Sequence, residues 1–226
     1  MSKKDFKLQK KEDFIVYLRF LLIDSYRELE SIQKYMTQVN EIIVRKKLKE
    51  RPQRVITSDI YESARDKLGF VSNRLLNIYG DHANSAMSYK KFREKANKVK
   101  DLNLPELDVE IKTYLNDLNS ARNWSNHIPE SLLTSQLKVN PSLYQPPYNS
   151  FTIAMYQRYR GDWLLNLYEQ YETNIYIYKQ IHACMITDCT VLIGEPPQLN
   201  PIDPGIRALN DMQIAVNSWN IQTNKK

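Results

Sequence analysis

The 226-residue chain carries 32 Lys and Arg against 26 Asp and Glu, a net charge of +6, and 42% of its residues are hydrophobic. This apolar content is enough for a packed core and argues against a disordered chain. Only five glycines occur, so a sandwich or barrel built from short strands is not expected. No apolar run is long enough to cross a membrane, and the first residues are charged. We therefore expect a cytoplasmic protein without a membrane contact.

Basic residues concentrate in the first part of the chain. Residues 1–54 hold 14 Lys and Arg against 8 Asp and Glu, whereas residues 105–226 hold 9 against 12. A cluster of cations can bind a nucleic-acid backbone because binding releases counterions. A solvated helix face rich in Lys and Glu is the simpler interpretation of so small a surplus.

The first predicted element is one long amphipathic helix that starts near Asp13. Its apolar stripe recurs at steps of four and three, with Ser25 as the one polar member: Leu18, Leu22, Leu29, Ile32, Met36, Val39 and Ile43. At ~1.5 Å per residue such a helix spans roughly 50 Å. Its stripe then exceeds what a small bundle easily covers, so we expect a homodimer.

A second helix is predicted from the capping signal of Asp59 and Glu62, and Gly80 interrupts it. The Lys-rich stretch from Gly80 to Lys100 has only a few apolar anchors, and we interpret it as helical.

A third helix is predicted to start at Pro105, framed by Asn103 and Glu106, and Pro129 limits its extent. Its buried face is expected to carry Leu107, Ile111, Tyr114, Leu115, Leu118 and Ala121. The Pro- and Asn-rich residues 139–150 then predict a loop.

A fourth long helix is predicted from about Thr152 to Ile193, and Gly194 ends it. One stripe of this helix should hold Leu164, Leu167, Tyr171, Ile175, Tyr178, His182, Met185 and Cys189. A short last helix is predicted around Ile206 to Trp219. The fold class is therefore all-α: an up-and-down bundle of four or five helices in a single domain over residues 1–226, with a short C-terminal extension from about 195 to 226.

The cysteines and two of the three histidines are interpreted as structural. Cys184 and Cys189 are five residues apart, which points their side chains away from each other on a helix, so we expect buried, reduced thiols. His182 lies two residues from Cys184 on the opposite side, and no third Cys is available for a zinc site. His182 is predicted in the core and His82 in a surface turn. No metal and no cofactor is expected.

The third histidine ends the run Arg122-Asn123-Trp124-Ser125-Asn126-His127 near the end of the third helix. An Arg and a His five residues apart can project toward one point where a helix ends. Arg supplies a permanent charge suited to phosphate, and His transfers protons near neutral pH. The pair suits phosphodiester cleavage without a metal, in which a ribose 2′-OH is the nucleophile.

Arg122, the polar Asn123 and His127 on a helical domain resemble the HEPN superfamily, many members of which are metal-independent ribonucleases. The resemblance implies that two protomers pair to build one composite active site on RNA. It implies that Arg122 stabilises the phosphate, Asn123 helps to orient the pair, and His127 is the general acid or base. It also implies a toxin or antiviral role, with an antitoxin protein as a possible partner.

Two other interpretations stay open. Arg122 can instead form a surface ion pair with Asp117 or Glu130, while His127 caps the helix. The whole chain can also be a non-catalytic helical bundle used for dimerisation or partner binding. Catalytic use predicts that Arg122 and His127 line a basic cleft shared with a second protomer.

Overall fold

A computed structural model describes residues 7–83, 86–126 and 157–198 of the chain. The chain divides into two compact units, Met1–Pro196 and Pro197–Lys226, and every element described lies in the first. Within the described ranges the fold is an all-α bundle with one small two-stranded sheet, which confirms the predicted class. The elements are α1 Lys11–Arg45, β1 Val55–Thr57, α2 Ser58–Gly80, α3 Tyr89–Ala96, a 3-10 turn Lys100–Leu102, α4 Val109–Asn126, β2 Arg158–Arg160 and α5 Gly161–Ile193.

Helix α1 begins close to the predicted start. The carboxylate of Asp13 accepts hydrogen bonds from the backbone N–H groups of Gln9 and Lys10, at 3.0 and 2.9 Å. These bonds fix the chain just ahead of the first turn. The whole stripe from Leu18 to Ile43 is buried, mainly against α2 and α5. The expectation that this stripe leaves apolar surface for a second chain is therefore wrong, because one chain covers it.

Helix α2 runs antiparallel to α1 and ends at Gly80, as predicted. Two pairs of side chains show the direction. Ser25 lies 2.7 Å from the hydroxyl of Tyr79, and Glu28 forms an ion pair with Arg74 at 2.8 Å. The carboxylate of Glu28 is buried, and this burial raises its pKa even though Arg74 opposes the shift.

The predicted helix between Gly80 and Lys100 is wrong except for α3. Residues 81–83 and 86–88 are not helical. The Tyr17 hydroxyl of α1 accepts a hydrogen bond from the Ser88 N–H at 2.9 Å, and Ser88 Oγ donates to the Asp81 carbonyl at 2.5 Å. These backbone groups are thus used in a turn, and Ser88 becomes the N-cap of a short helix that starts at Tyr89.

Helix α4 begins at Val109, so the predicted start at Pro105 is wrong. Asn103 adopts a left-handed conformation (φ 49°), and residues 103–108 are not helical. The carbonyl of Pro105 accepts a hydrogen bond from Arg93 Nη1 at 2.8 Å, a tertiary contact that holds this segment. The predicted buried face is confirmed at Ile111, Leu115 and Leu118.

Strands β1 and β2 form a short antiparallel pair, in which Ile56 lies opposite Tyr159. The predicted start of the last long helix near Thr152 is therefore wrong, because residues 158–160 form β2 and α5 begins at Gly161. Backbone hydrogen bonds hold this junction: the Gly161 N–H donates to the Arg54 carbonyl at 2.7 Å, and the Asp162 N–H donates to the Pro52 carbonyl at 2.8 Å.

Helix α5 ends at Ile193, as predicted, with Gly194 in the left-handed region (φ 95°) that favours glycine. Most of its predicted stripe is buried against α1 and α2, whereas Tyr171 and His182 are half-buried. None of the described helices is long and apolar enough to span a membrane. The predicted helix around Ile206 to Trp219 lies outside the described residues.

Candidate functional site

The Arg122–His127 motif lies at the end of α4. Arg122 and Asn123 are among the last five residues of the helix, which runs to Asn126. His127 follows directly in the chain and lies outside the described residues. The proposal that Arg122, Asn123 and His127 form one catalytic site therefore stays a prediction.

Helix α4, which holds Arg122 and Asn123, packs on α2. A Cβ atom added to Gly80 would lie 2.9 Å from the backbone nitrogen of Asn119 and 3.1 Å from Leu118 Cβ. Only glycine permits so close an approach of the two backbones. Because Leu118 is also buried, α4 is fixed to α2 four residues before Arg122.

His182 is half-buried at the edge of the core and hydrogen-bonded into it, which agrees with its structural interpretation. Its Nδ1 lies 2.6 Å from Ser25 Oγ, and the same Oγ lies 2.7 Å from the hydroxyl of Tyr79. One buried serine thus links α1, α2 and α5. Burial lowers the pKa of His182, since the imidazolium is harder to desolvate than the neutral ring. This histidine supports the helix packing rather than an exposed reaction site.

His82 and Cys189 also match their structural interpretation, whereas Cys184 is less buried than predicted. His82 is exposed in the turn after α2, with Nδ1 3.5 Å from a carboxylate oxygen of Glu94. Cys184 is half-buried and Cys189 is buried, and both are free thiols. Burial raises the pKa of each thiol, which disfavours the reactive thiolate.

A buried ionic cluster lies where α3 meets α5, and the sequence did not predict it. Arg93 Nη2 is 2.6 Å from Asp188 Oδ1, and the hydroxyl of Tyr89 donates to Asp188 Oδ2 at 2.7 Å. The Arg93 Nε donates to the Tyr89 hydroxyl at 3.1 Å, and Nη1 reaches the Pro105 carbonyl. We call Tyr89, Arg93 and Asp188 the ionic cluster.

The ionic cluster is closed to solvent, and its polar atoms bond to one another and to the Pro105 carbonyl. Asp188 and Tyr89 have 0% relative exposure and Arg93 has 5%. Burial raises the pKa of Asp188 to about 6, against the opposing charge of Arg93. With no open face, this cluster can fasten α3 and the Pro105 segment to α5, but it offers no room for a substrate.

One signal in the sequence points to this cluster. Asp188 interrupts an apolar stripe between Met185 and Leu192, and a charged residue at a core position requires a buried partner. The partner could not be identified from the sequence, because Arg93 is almost a hundred residues earlier in a stretch with several other cations.

A shallow groove of about 480 Å³ runs between α1 and α5, lined among others by Met36, Ile175 and Tyr176. Glu172 and Lys179 lie at this groove. The Tyr168 hydroxyl at this groove hydrogen-bonds to Glu172, and burial raises the pKa of Tyr168, which disfavours a reactive phenolate. In the part of the chain that the structure describes, no group of three His, Cys, Asp or Glu residues could hold a metal ion.

Comparison of the chain with protein-family models, with curated proteins and with solved structures found no match. The class that the fold defines is thus an all-α bundle with a small antiparallel strand pair. A proposal about its function therefore depends on the residues of this chain alone.

Proposed function

We propose that this protein is a metal-independent endoribonuclease of the HEPN type, acting on RNA through Arg122, Asn123 and His127. The main support is one observation. Arg122 and Asn123 occupy the end of a helix that packs on a neighbouring helix in an all-α bundle, and His127 is the next residue after that helix. An Arg and a His at a helix end are what the resemblance requires.

The proposed reaction needs no metal. The ribose 2′-oxygen attacks the adjacent phosphorus as its proton is removed, and the bond to the 5′-oxygen breaks as that oxygen gains a proton. His127 transfers one of these protons, and its copy in a second protomer transfers the other. Arg122 stabilises the charge that develops on the phosphate, and Asn123 helps to orient the pair. The products are a 2′,3′-cyclic phosphate and a 5′-hydroxyl.

The biological setting belongs to the same proposal. A cytoplasmic homodimer that cleaves cellular RNA would act as a toxin or antiviral effector and would require an antitoxin protein to restrain it. This role follows from the HEPN resemblance alone.

The test is cleavage of labelled RNA by the purified wild-type protein in EDTA. We expect cleavage to persist, to leave 2′,3′-cyclic phosphate ends and to spare DNA, which lacks the 2′-OH. Arg122→Ala and His127→Ala should each lower the rate by roughly 10² or more at unchanged circular dichroism, because each removes a charge-stabilising or proton-transferring group. His82→Ala is the matched control, since His82 is an exposed turn residue, and it should cleave like wild type.

The second candidate is a non-catalytic bundle that associates with another copy of itself. The observation that favours it is an outward-facing apolar row on α1, in which Val16, Phe20 and Ile23 are 57%, 51% and 46% exposed. These positions follow steps of four and three, so they share one helix face. If wild type cuts no RNA, or if His127→Ala cuts as well as wild type, this candidate replaces the nuclease.

Light scattering after size exclusion tests the association. We expect a dimer that Phe20→Glu converts to a monomer, because a charge in this row would be buried at the contact. Val44→Glu is the control, since Val44 is 64% exposed elsewhere on α1, and it should leave the dimer intact. A strictly monomeric wild type would remove the composite active site as well.

A further inference from the structure

Dense positive charge lies at one end of the bundle, where α1 ends and the two strands pair. We define the hairpin end as residues 45–57 and 158–163. These ranges hold eight Lys and Arg against two acidic residues, Glu50 and Asp162. Their surplus of six equals the net charge of the entire chain. The basic character seen in the sequence is therefore concentrated in this one region.

The backbone brings the two parts of the hairpin end together. Residues 55–57 pair with residues 158–160, and Thr57 lies opposite Arg158. Along β2, Tyr159 is buried whereas Arg158 and Arg160 are exposed. Alternate residues of a strand point to the same side, so both arginines project to solvent from one face, ~6.5 Å apart along the strand.

Several of these cations are not used by the fold. Within the described residues, Lys47, Arg51 and Arg158 are exposed and their side chains have no ion pair or hydrogen bond. By contrast, Arg160 pairs with Asp162, and Arg54 Nη1 donates to the Lys46 carbonyl at 3.0 Å. Attraction to the C-terminal dipole of α1 accounts for cations in its last turn, but not for Arg158 on β2.

Lys47 is strained as well as unpaired. It has a positive φ of 51° directly after the helix, where its N–H donates to the Val44 carbonyl and the Leu48 N–H donates to the Ile43 carbonyl. This is a Schellman ending, whose left-handed position is usually glycine. A lysine there costs stability, and such a cost indicates a function for the charge.

Aromatic rings lie at the same end of the bundle, on α5, β2 and α2. Trp163, 46% exposed at the start of α5, is 5.3 Å from Tyr159 and 5.8 Å from Tyr61, measured between ring centroids. The ring centroids of the two tyrosines lie 4.4 Å apart, so the three rings form one cluster. A half-exposed indole in a region rich in exposed cations is typical of a surface that stacks a nucleobase.

We propose that the hairpin end binds a single strand of nucleic acid, with its phosphates on Lys47, Arg51 and Arg158 and a base stacked on Trp163. Cations spread over two chain segments suit a repeating phosphate backbone, and the indole supplies a base contact that an acidic peptide would not use. This binding does not depend on cleavage by Arg122 and His127.

The test is fluorescence anisotropy with labelled single-stranded RNA and single-stranded DNA, on the His127→Ala protein so that substrate persists. The variant Lys47→Gly/Arg51→Gln/Arg158→Gln should bind at least about tenfold more weakly at about 100 mM salt. Its plot of log affinity against log salt should flatten by about 2, since each lost phosphate contact removes ~0.7 from the slope. The matched control is Lys11→Gln/Lys95→Gln/Lys98→Gln, which removes three exposed charges near α3 and should change neither value.

A second pair of variants tests the base contact. Trp163→Leu should weaken binding about tenfold, whereas Trp163→Phe should retain most of it, because phenylalanine keeps a ring for stacking. Equal binding of RNA and DNA, or a preference for RNA, supports the proposal. Equal weakening by the control triple, displacement of the strand by poly-glutamate as effectively as by unlabelled RNA, or no binding at all would overturn it. Binding without RNA cleavage by wild type would remove only the nuclease proposal.

Discussion

The ionic cluster and the hairpin end use charge in opposite ways. In the cluster, Asp188 is fully buried and its two oxygens are taken up by Arg93 and Tyr89. At the hairpin end, Arg51 and Arg158 are exposed and have no partner within the described residues. Each arrangement has its own cost. The first requires desolvation of an ion pair, and the second tolerates repulsion between neighbouring cations.

This difference separates support from recognition. A closed set of buried charges holds α3 against α5 and cannot contact a ligand without unfolding. Exposed, unpaired cations add little to the stability of the fold. Their presence therefore points to a ligand that binds them. The consequences for stability should therefore be large at the cluster and small at the hairpin end.

The largest effect is expected at Asp188. Asp188→Ala would leave the Arg93 guanidinium buried without its counter-charge, which should cost about 3–5 kcal/mol of unfolding free energy. Urea denaturation followed by circular dichroism measures this. The double variant Arg93→Met/Asp188→Leu, which leaves no lone charge, should recover most of the loss. If Asp188→Ala lost less than about 1 kcal/mol of unfolding free energy, the contrast between the stabilising ionic cluster and the hairpin end would be contradicted.

A smaller loss is expected at the serine that joins three helices. Ser25→Ala removes the hydrogen-bond partner of both His182 and Tyr79, so roughly 1–3 kcal/mol should be lost. Ser63→Ala is the control at an exposed position of α2 and should stay within about 0.5 kcal/mol of wild type. Equal effects of the two changes in the same denaturation experiment would show that the buried chain of hydroxyls contributes nothing.

At the hairpin end the expected change has the opposite sign. Lys47→Gly should raise the unfolding free energy by roughly 1 kcal/mol, because glycine adopts the left-handed conformation without a Cβ clash. The thermal denaturation midpoint of Lys47→Gly should therefore be higher than that of wild type, although the same substitution contributes to weaker nucleic-acid binding. A lower midpoint would mean that the Lys47 side chain stabilises the fold.

The smallest effect concerns pH. In the unfolded chain His182 binds a proton near pH ~6.5, whereas burial lowers its folded pKa. As the pH falls through about 6.5, the unfolded chain binds more protons than the folded chain. The free energy of unfolding should therefore decrease as the pH decreases. Asp188 has the opposite trend between its unfolded pKa of ~3.9 and its folded value of about 6, where the folded chain binds more protons.

His182→Gln separates the two contributions. The interval from about pH 7 to pH 6 lies above most of the pH range in which Asp188 changes stability. Over this interval the unfolding free energy should fall less steeply in the variant than in wild type. Denaturation curves at each pH measure it. Identical slopes would mean that His182 titrates alike in the folded and unfolded chains.

Local signals predicted the helices better than their junctions. The α1 stripe and the glycines at the ends of α2 and α5 carry their information within a few residues. The start of α5 was missed because β2 is only three residues long, and its partner lies a hundred residues earlier. The start of α4 was missed because Arg93 donates a hydrogen bond to the Pro105 carbonyl, which is then not part of a helix. No local sequence pattern indicates this tertiary contact.

The candidate sites follow the same division. Arg122, Asn123 and His127 are readable because they lie close together in the chain. The hairpin end was visible only as an excess of cations before residue 54, since the contribution of Arg158 depends on strand pairing. The buried role of Ser25 was signalled by its place in an apolar stripe, but its partner His182 required the packing of α1 on α5.

Mapping of bound RNA tests the separation of support from recognition most directly. The His127→Ala protein would be crosslinked by ultraviolet light to single-stranded RNA that contains 4-thiouridine, and the modified peptides identified by mass spectrometry. We expect crosslinks within residues 45–57 and 158–163, with Trp163 among the modified residues. Crosslinks concentrated instead on residues 86–103 or 181–193, around the ionic cluster, would contradict it.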